Sequence, residues 1–442
     1  MQKKILLIFG VLFFLIITTL LFGFFLIDKN FFNLKEIIYS KYPNIELRLN
    51  VFNKKSVINN LKNDYNVKFL PFTQFEKLEY VKKKILFEDN LILKSRQTDN
   101  SISYKKYNSF FIDQHKESII VTDYLGNIYY VDQKKLFLKN NTKIDAKNIK
   151  NNLSSTRVLD AFIYNDKIFV SHTLNIDGCN TINISYAELN YKKLNFEKFY
   201  NPKICSKTGT PGKIQFYEIS GEPGLLLSTS EGVHDNPGKN SQDINSIFGK
   251  ILFIPLSNKK EIIFSLGHRV VQGLNVSGNK IVSTEHGPRG GDEVNLILQN
   301  KNYGWPIASL GERYDFTYNN NKLDYKKKHK ENGFQEPIYS FIPSIGISEI
   351  ISLPNSFSIY YDNHYLISSL NGGSIFFARF DKNLSKVISI EKVFLNNRIR
   401  DIKYLKNYES IIVALEENGE IGILSKNYFK IFNKVFAIYF IS

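Results

Sequence analysis

From about residue 96 onward the chain repeats one form: an apolar strand-like run, a polar turn, a second run ending in small or polar residues, then a third run. The first clear case is SFFIDQHKESIIVTDYLGNIYYVD at 109–132, and the form returns at 158–174, 213–232, 271–287, 349–380 and 399–425. Alternating apolar runs bounded by Gly, Asn, Asp and Ser read as short antiparallel strands. No strong amphipathic helix separates them, which excludes an alternating βαβ chain. Six units over this length are spaced too widely for a solenoid, and a small sheet cannot bury both its faces alone. The pattern predicts an all-β fold, a six-bladed β-propeller over residues 96–442, with a pair of β-sandwiches as the alternative. The 36 Phe and 26 Tyr suit strands.

Residues 5–27, ILLIFGVLFFLIITTLLFGFFLI, carry no charge. At about 1.5 Å per residue a helix of that length spans a bilayer core. Lys3 and Lys4 precede it, so residues 1–4 are expected in the cytoplasm. No small-x-small cleavage site follows. The expectation is an uncleaved transmembrane signal anchor with the remainder exported, periplasmic in a Gram-negative cell; a cleaved signal peptide is the alternative. Residues 28–95 read as a juxtamembrane segment, in which LEYVKKKILF fits a helix or a strand.

The chain carries 58 Lys and Arg against 42 Asp and Glu, a net charge of +16. The lysines are scattered rather than gathered into a stripe, so they read as a solvated surface and no nucleic-acid partner is expected. Only Cys179 and Cys205 occur. The alternation between them predicts a hairpin turning near Lys192, from which both are equally distant. A symmetric hairpin brings them within bridging reach, and a disulfide suits an exported compartment; two buried thiols are the alternative.

The loop at 283–306, STEHGPRGGDEVNLILQNKNYGWP, concentrates Gly287, Gly290 and Gly291. Glycines permit turns and close approach that other residues forbid. The carbonyls such a turn exposes are hard oxygen ligands suited to Ca2+; Asp292 and Glu293 either assist or cap the next strand. In a propeller, loops following the inner strands are expected to converge on one mouth of the central channel.

EHGPRGGDEVNLI and KNYGWP together resemble the glucose/sorbosone dehydrogenase family, soluble aldose dehydrogenases that use pyrroloquinoline quinone (PQQ). GHRVVQGL (267–274), QDINSIFGKILFI (242–254), PSIGISEI (343–350) and NNRIRDI (396–402) are similar to further family segments, in order. The resemblance implies a six-bladed propeller and hydride transfer from the anomeric carbon of an aldose to the quinone. It implies that Gly287 and Pro288 give carbonyls to the Ca2+ that holds PQQ, with His286 beside the cofactor. Arg269 is then the residue at the reactive carbonyl, Gln272 and Ser344 are cofactor contacts, and Arg398 and Arg400 pair with the cofactor's carboxylates. A quinone or cytochrome near the membrane is the implied electron acceptor.

Four positions depart from the family. Its general-base His falls at Gly209 in GTPGKI, where Lys213 also replaces an Arg, and its PQQ-contacting Lys falls at Asn371. Val270 replaces an Asn. Glu231 stands where the acidic partner of that His is found, and His234, close after it on a loop that could reach the mouth, is the one candidate to substitute for the base. A propeller that binds a saccharide or protein partner without redox chemistry is therefore the alternative reading.

Overall fold

Each repeated unit folds into a four-stranded antiparallel sheet. The protein is seen in a computed structural model that describes residues 68–70, 78–87, 109–138, 142–176, 179–206, 212–231, 239–312, 325–361 and 363–426. The first sheet runs Phe110–His115, Ser118–Asp123, Ile128–Asp132 and Lys143–Asn151, each bonded to the next. The following four begin with Arg157–Tyr164, Ile214–Ile219, Val271–Ser277 and Ile347–Ser352, and the sixth with Ile399–Leu405. These six first strands neighbour one another in sequence order, and the sixth returns to the first. That is a closed ring of six blades, with the first strand of each innermost.

Period-two alternation explains why the ring holds together. In the second strand of blade one, Ile119 and Val121 face blade six, packing with Ile412 and Ile423, while Ile120 faces blade two and packs with Val158 and Val170. In blade three Leu225 and Leu227 turn to blade two and Leu226 to blade four. Each such side chain, once buried, contributes about 1.5–3 kcal/mol.

Polar ties link neighbouring inner strands. Asp401 accepts from Ile112 N at 2.9 Å, Asp113 from Ile163 N at 2.8 Å, and Asp160 from Ile214 N at 3.0 Å. Ser348 Oγ donates to Ile399 O at 2.6 Å.

The ring closes with a strand from outside the expected boundary. Leu78–Phe87, assigned from sequence to the juxtamembrane segment 28–95, is the fourth strand of blade six. It pairs antiparallel with Glu420–Ser425 and parallel with Lys143–Asn151 of blade one. The propeller therefore begins before residue 96. Pairing hides both edges of that strand, which an open ring would expose. Lys83 of this strand is buried and donates to Leu138 O at 2.9 Å, and burial lowers its pKa to about 8.

The expected anchor at 5–27 lies outside the described residues; among those described, no helix is long and apolar enough to cross a membrane. The hairpin between the cysteines is present, with Tyr186 opposite Glu197. Cys205 stands opposite Thr181 on the strand that begins at Cys179, so the two positions lie on adjoining strands two residues out of register. Their side chains lie outside the described residues.

Candidate functional site

The site residues do not follow the inner strands, as expected from sequence. Most precede them or follow the second strands, and Gln272 and Arg400 are the second residues of inner strands. Val271 at the start of one inner strand is opposite Glu285 at the end of its neighbour, and Ile399 is opposite Leu415. Arg269, Arg398, Ser109, Lys213 and Ser344 thus sit just ahead of inner strands, and His286, Glu416 and Glu231 just beyond second strands. All of them gather at one end of the channel.

The glycine-rich loop folds back on itself. A methyl at Gly287 would run into the carbonyl oxygens of Gly290 and Gly291, and Gly290 and Gly291 have φ of +84° and +73°. Asp292, buried, fixes the loop by accepting from Gly287 N at 3.1 Å, Ile345 N at 3.0 Å and Ile347 N at 2.9 Å. Its role is therefore to hold the turn and bring the Ser344 segment against it. Ser344 Oγ is buried without a hydrogen-bond partner.

Arg269 reaches over this loop. Its Nη1 donates to His286 O at 3.1 Å and to Gly287 O at 2.9 Å. Its guanidinium lies 5.2 Å from the centre of the Trp305 ring, and Nε is 3.9 Å from Glu231 Oε1. Trp305 Nε1 donates to Glu231 Oε2 at 2.6 Å. Beneath, Glu285 binds the Arg269 amide and His268, which also meets Ser265 Oγ at 2.8 Å. His268 is fully buried and structural. Glu293 is pushed up to about 8 by burial and then by Glu285.

His286 donates Nε2–H to Ile347 O at 2.5 Å, and burial lowers its pKa, with Arg269 and Arg400 adding to the effect. It is neutral at pH 7.

Opposite, Arg398 and Arg400 both direct Nε to Glu416, the former at 3.3 Å, and Ser109 Oγ donates to the same carboxylate at 2.7 Å. Burial works to raise the Glu416 pKa, but Arg400 and Arg398 outweigh it and hold the group below the ordinary carboxylate value. Arg400 Nη1 also reaches Gln272 Oε1 at 3.4 Å, joining blade six to blade four. The cleft there is lined by Ser109, Tyr124, Arg157, Lys213, Gln272 and Arg400 among others.

Below the cleft Lys213 is buried between Asp160, at 2.7 Å, and Glu349. Its ammonium is held charged: burial opposes the charge, but Asp160 and Glu349 prevail. Glu349 is pushed up to about 7 by burial, against Lys213, with Asp401 and Asp160 assisting. The sequence reading noted Lys213 only as a replacement. It missed Glu416, Arg157, Glu349 and Trp305. Glu416 and Arg157 lie in no motif, while Glu349 and Trp305 lie within PSIGISEI and KNYGWP, where nothing in the sequence alone assigns them a role.

Of the expected residues, the structure brings together Arg269, Gln272, His286, Gly287, Pro288, Ser344, Arg398 and Arg400. Asn371 is exposed, its backbone against Gly346. His234 and Gly209 lie outside the described residues. Among the described residues no group of three or more His, Cys, Asp or Glu is placed to hold a metal. A Ca2+ site here would rest on backbone carbonyls.

A closed ring of six four-stranded blades, with Arg269, Arg398 and Arg400 gathered at one mouth, defines the class: a six-bladed β-propeller. The family model described as Glucose / Sorbosone dehydrogenase matches residues 109–424, and the chain belongs to that family. Aldose sugar dehydrogenase YliI of Escherichia coli is 25% identical over 237 residues, covering 50% of this chain and 61% of that one. The chain thus spans less than two thirds of the length of that curated relative. In fold it is similar to a crystal structure of glucose dehydrogenase, with TM-score 0.61 and 19% identity over 72% of this chain and 95% of the other. The PQQ-bound aldose sugar dehydrogenase of Streptomyces coelicolor gives TM-score 0.51 and 16% identity, covering 78% and 98%.

Proposed function

We propose that the chain oxidises aldose sugars with PQQ held at this mouth by Ca2+. The observation that carries the reading is the meeting of Arg269, Gln272 and the Gly287 carbonyl from blade four with Arg400 and Arg398 from blade six. The residues fit a carboxylate-bearing quinone. Arg400 uses Nε and Nη1 on Glu416 and Gln272, and a guanidinium has five donors. Ser344 Oγ and Arg269 Nε are both buried without hydrogen-bond partners. The carbonyls of His286 and Gly287 already converge on one cation, the Arg269 guanidinium, which suits a hard divalent ion.

PQQ, when bound, supplies the hydride acceptor for the anomeric carbon. Arg398 and Arg400 would orient it through bidentate contacts to carboxylates. Arg269 would offer positive charge where negative charge develops. The sugar hydroxyl must lose a proton, and His234 is the residue proposed to take it in place of the base absent at Gly209. The anchor at 5–27 would set the exported domain beside a quinone or cytochrome acceptor. A second reading, a propeller binding a saccharide or protein without redox chemistry, is favoured by Gly209 and Asn371.

The test is to titrate the purified full chain with PQQ and Ca2+, follow binding by absorbance, and assay dye reduction with a panel of aldoses. Binding with turnover is expected. Arg400→Ala should weaken PQQ binding about 10- to 100-fold, the worth of a charge-assisted hydrogen bond of about 1.5–3 kcal/mol. Gly209→His should raise turnover by about 10²–10⁴-fold. Binding without turnover in either protein would favour the second reading, and absence of binding would remove PQQ from the proposal.

A further inference from the structure

We propose that Arg269 and a divalent cation compete for the Gly287 carbonyl, and that Trp305 and Glu231 form the seat that receives the guanidinium when the metal wins. The inference rests on the reading of Gly287 as a metal ligand and goes beyond it by assigning a second position to Arg269.

A single nitrogen, Arg269 Nη1, bridges the carbonyls of His286 and Gly287 at 3.1 and 2.9 Å. A Ca2+ ion takes oxygen ligands at about 2.3–2.6 Å. Two cations cannot share that oxygen at such separations, because like charges in a partly buried site repel strongly. Arg269 is only about one-fifth exposed, so solvent screens little of this. The guanidinium must yield the carbonyl to the metal.

Its alternative position is already built. Arg269 Nε makes no hydrogen bond, and Glu231 Oε1 lies 3.9 Å away, too far for one. Glu231 cannot drift towards Arg269, because Trp305 Nε1 holds its other oxygen at 2.6 Å. The Arg269 backbone is fixed as well: its N–H donates to Glu285 and its carbonyl accepts from Glu231 N at 3.0 Å. Only the side chain is left to move, and in the proposed second position it closes the 3.9 Å gap from Nε to Glu231 Oε1. The guanidinium stays over the Trp305 ring, now as a cation–π contact closed by an ion pair. Arg269 is here a positioning residue, set by the metal.

Trp305 is the only tryptophan in the chain, so its emission reports on this seat alone. The experiment titrates the full chain with Ca2+, without quinone, and measures affinity by equilibrium dialysis and Trp305 emission in parallel. Wild type should bind Ca2+ with a saturable emission change of the same midpoint. Arg269→Ala removes the competitor and should bind Ca2+ about tenfold more tightly with no emission change. Glu231→Gln removes the charge of the seat while keeping an acceptor for Trp305, and should bind Ca2+ several-fold more weakly. Equal affinities in the three proteins, weaker binding by Arg269→Ala, no binding by any of them, or binding by wild type without an emission change would each overturn the proposal. A failure of PQQ binding in the separate quinone titration leaves these Ca2+ readouts unchanged, so a failure of the quinone reading is distinguishable from a failure of this one.

Discussion

Glu416 and Glu349 are both buried carboxylates of this ring, yet their surroundings drive them in opposite directions. Glu416 has two guanidiniums, and its contribution to stability is present above its unfolded pKa and lost as pH falls through the lowered folded value. Glu349 is pushed up to about 7 by burial, with Asp401 and Asp160 adding to the rise and Lys213 opposing it. The folded chain then holds a proton that the unfolded chain releases. Stability therefore falls as pH rises from the free-glutamate value of about 4.3 towards 7. Glu349→Gln should flatten that decline, read from urea midpoints between pH 4.5 and 8; an unchanged slope would assign the proton to Asp160, whose pKa burial also raises. This cluster was not legible in the sequence, since its members lie on four different blades and only closure of the ring brings them together. Arg398 and Arg400 were legible because a motif carries them, but their shared partner Glu416 was not, being a single acid after a second strand.

At the scale of elements, the alternation of small and branched residues made the six inner and second strands readable. The closing strand fits a helix or a strand by sequence and stands apart from the repeated units, so nothing local ties it to the ring. Leu78, Tyr80, Val81 and Ile85 are buried, with Lys82, Lys83 and Lys84 interrupting them. In the structure only Lys84 of the three is exposed. This strand joins blade six to blade one by hydrogen bonds on both sides. Removing it uncovers Val81's partners in the cluster with Ile412 and Ile423, together with two sheet edges. A chain shortened to begin at residue 73 should melt cooperatively. One begun at residue 96 should aggregate or lose its transition, seen by circular dichroism and size exclusion. Equal melting of the two would mean that the ring closes without the strand.

For the whole molecule, blades four and six are not adjacent in the ring, yet Gln272 and Arg400 meet across the mouth. A ligand gripping both therefore ties together parts of the ring that share no sheet. Because unfolding must release it, binding adds to the stability of the entire ring rather than of one blade. With ligand at 100 times its dissociation constant the gain is about 2.7 kcal/mol. PQQ with Ca2+ should raise the melting temperature of the full chain in a concentration-dependent way. Arg400→Ala should reduce the rise at fixed ligand concentration, because the mouth loses its contact from blade six. Lys330→Ala, at an exposed position, should leave the rise intact. A rise that persists in full in Arg400→Ala would place the ligand on blade four alone, with the Gly287 loop as its whole site.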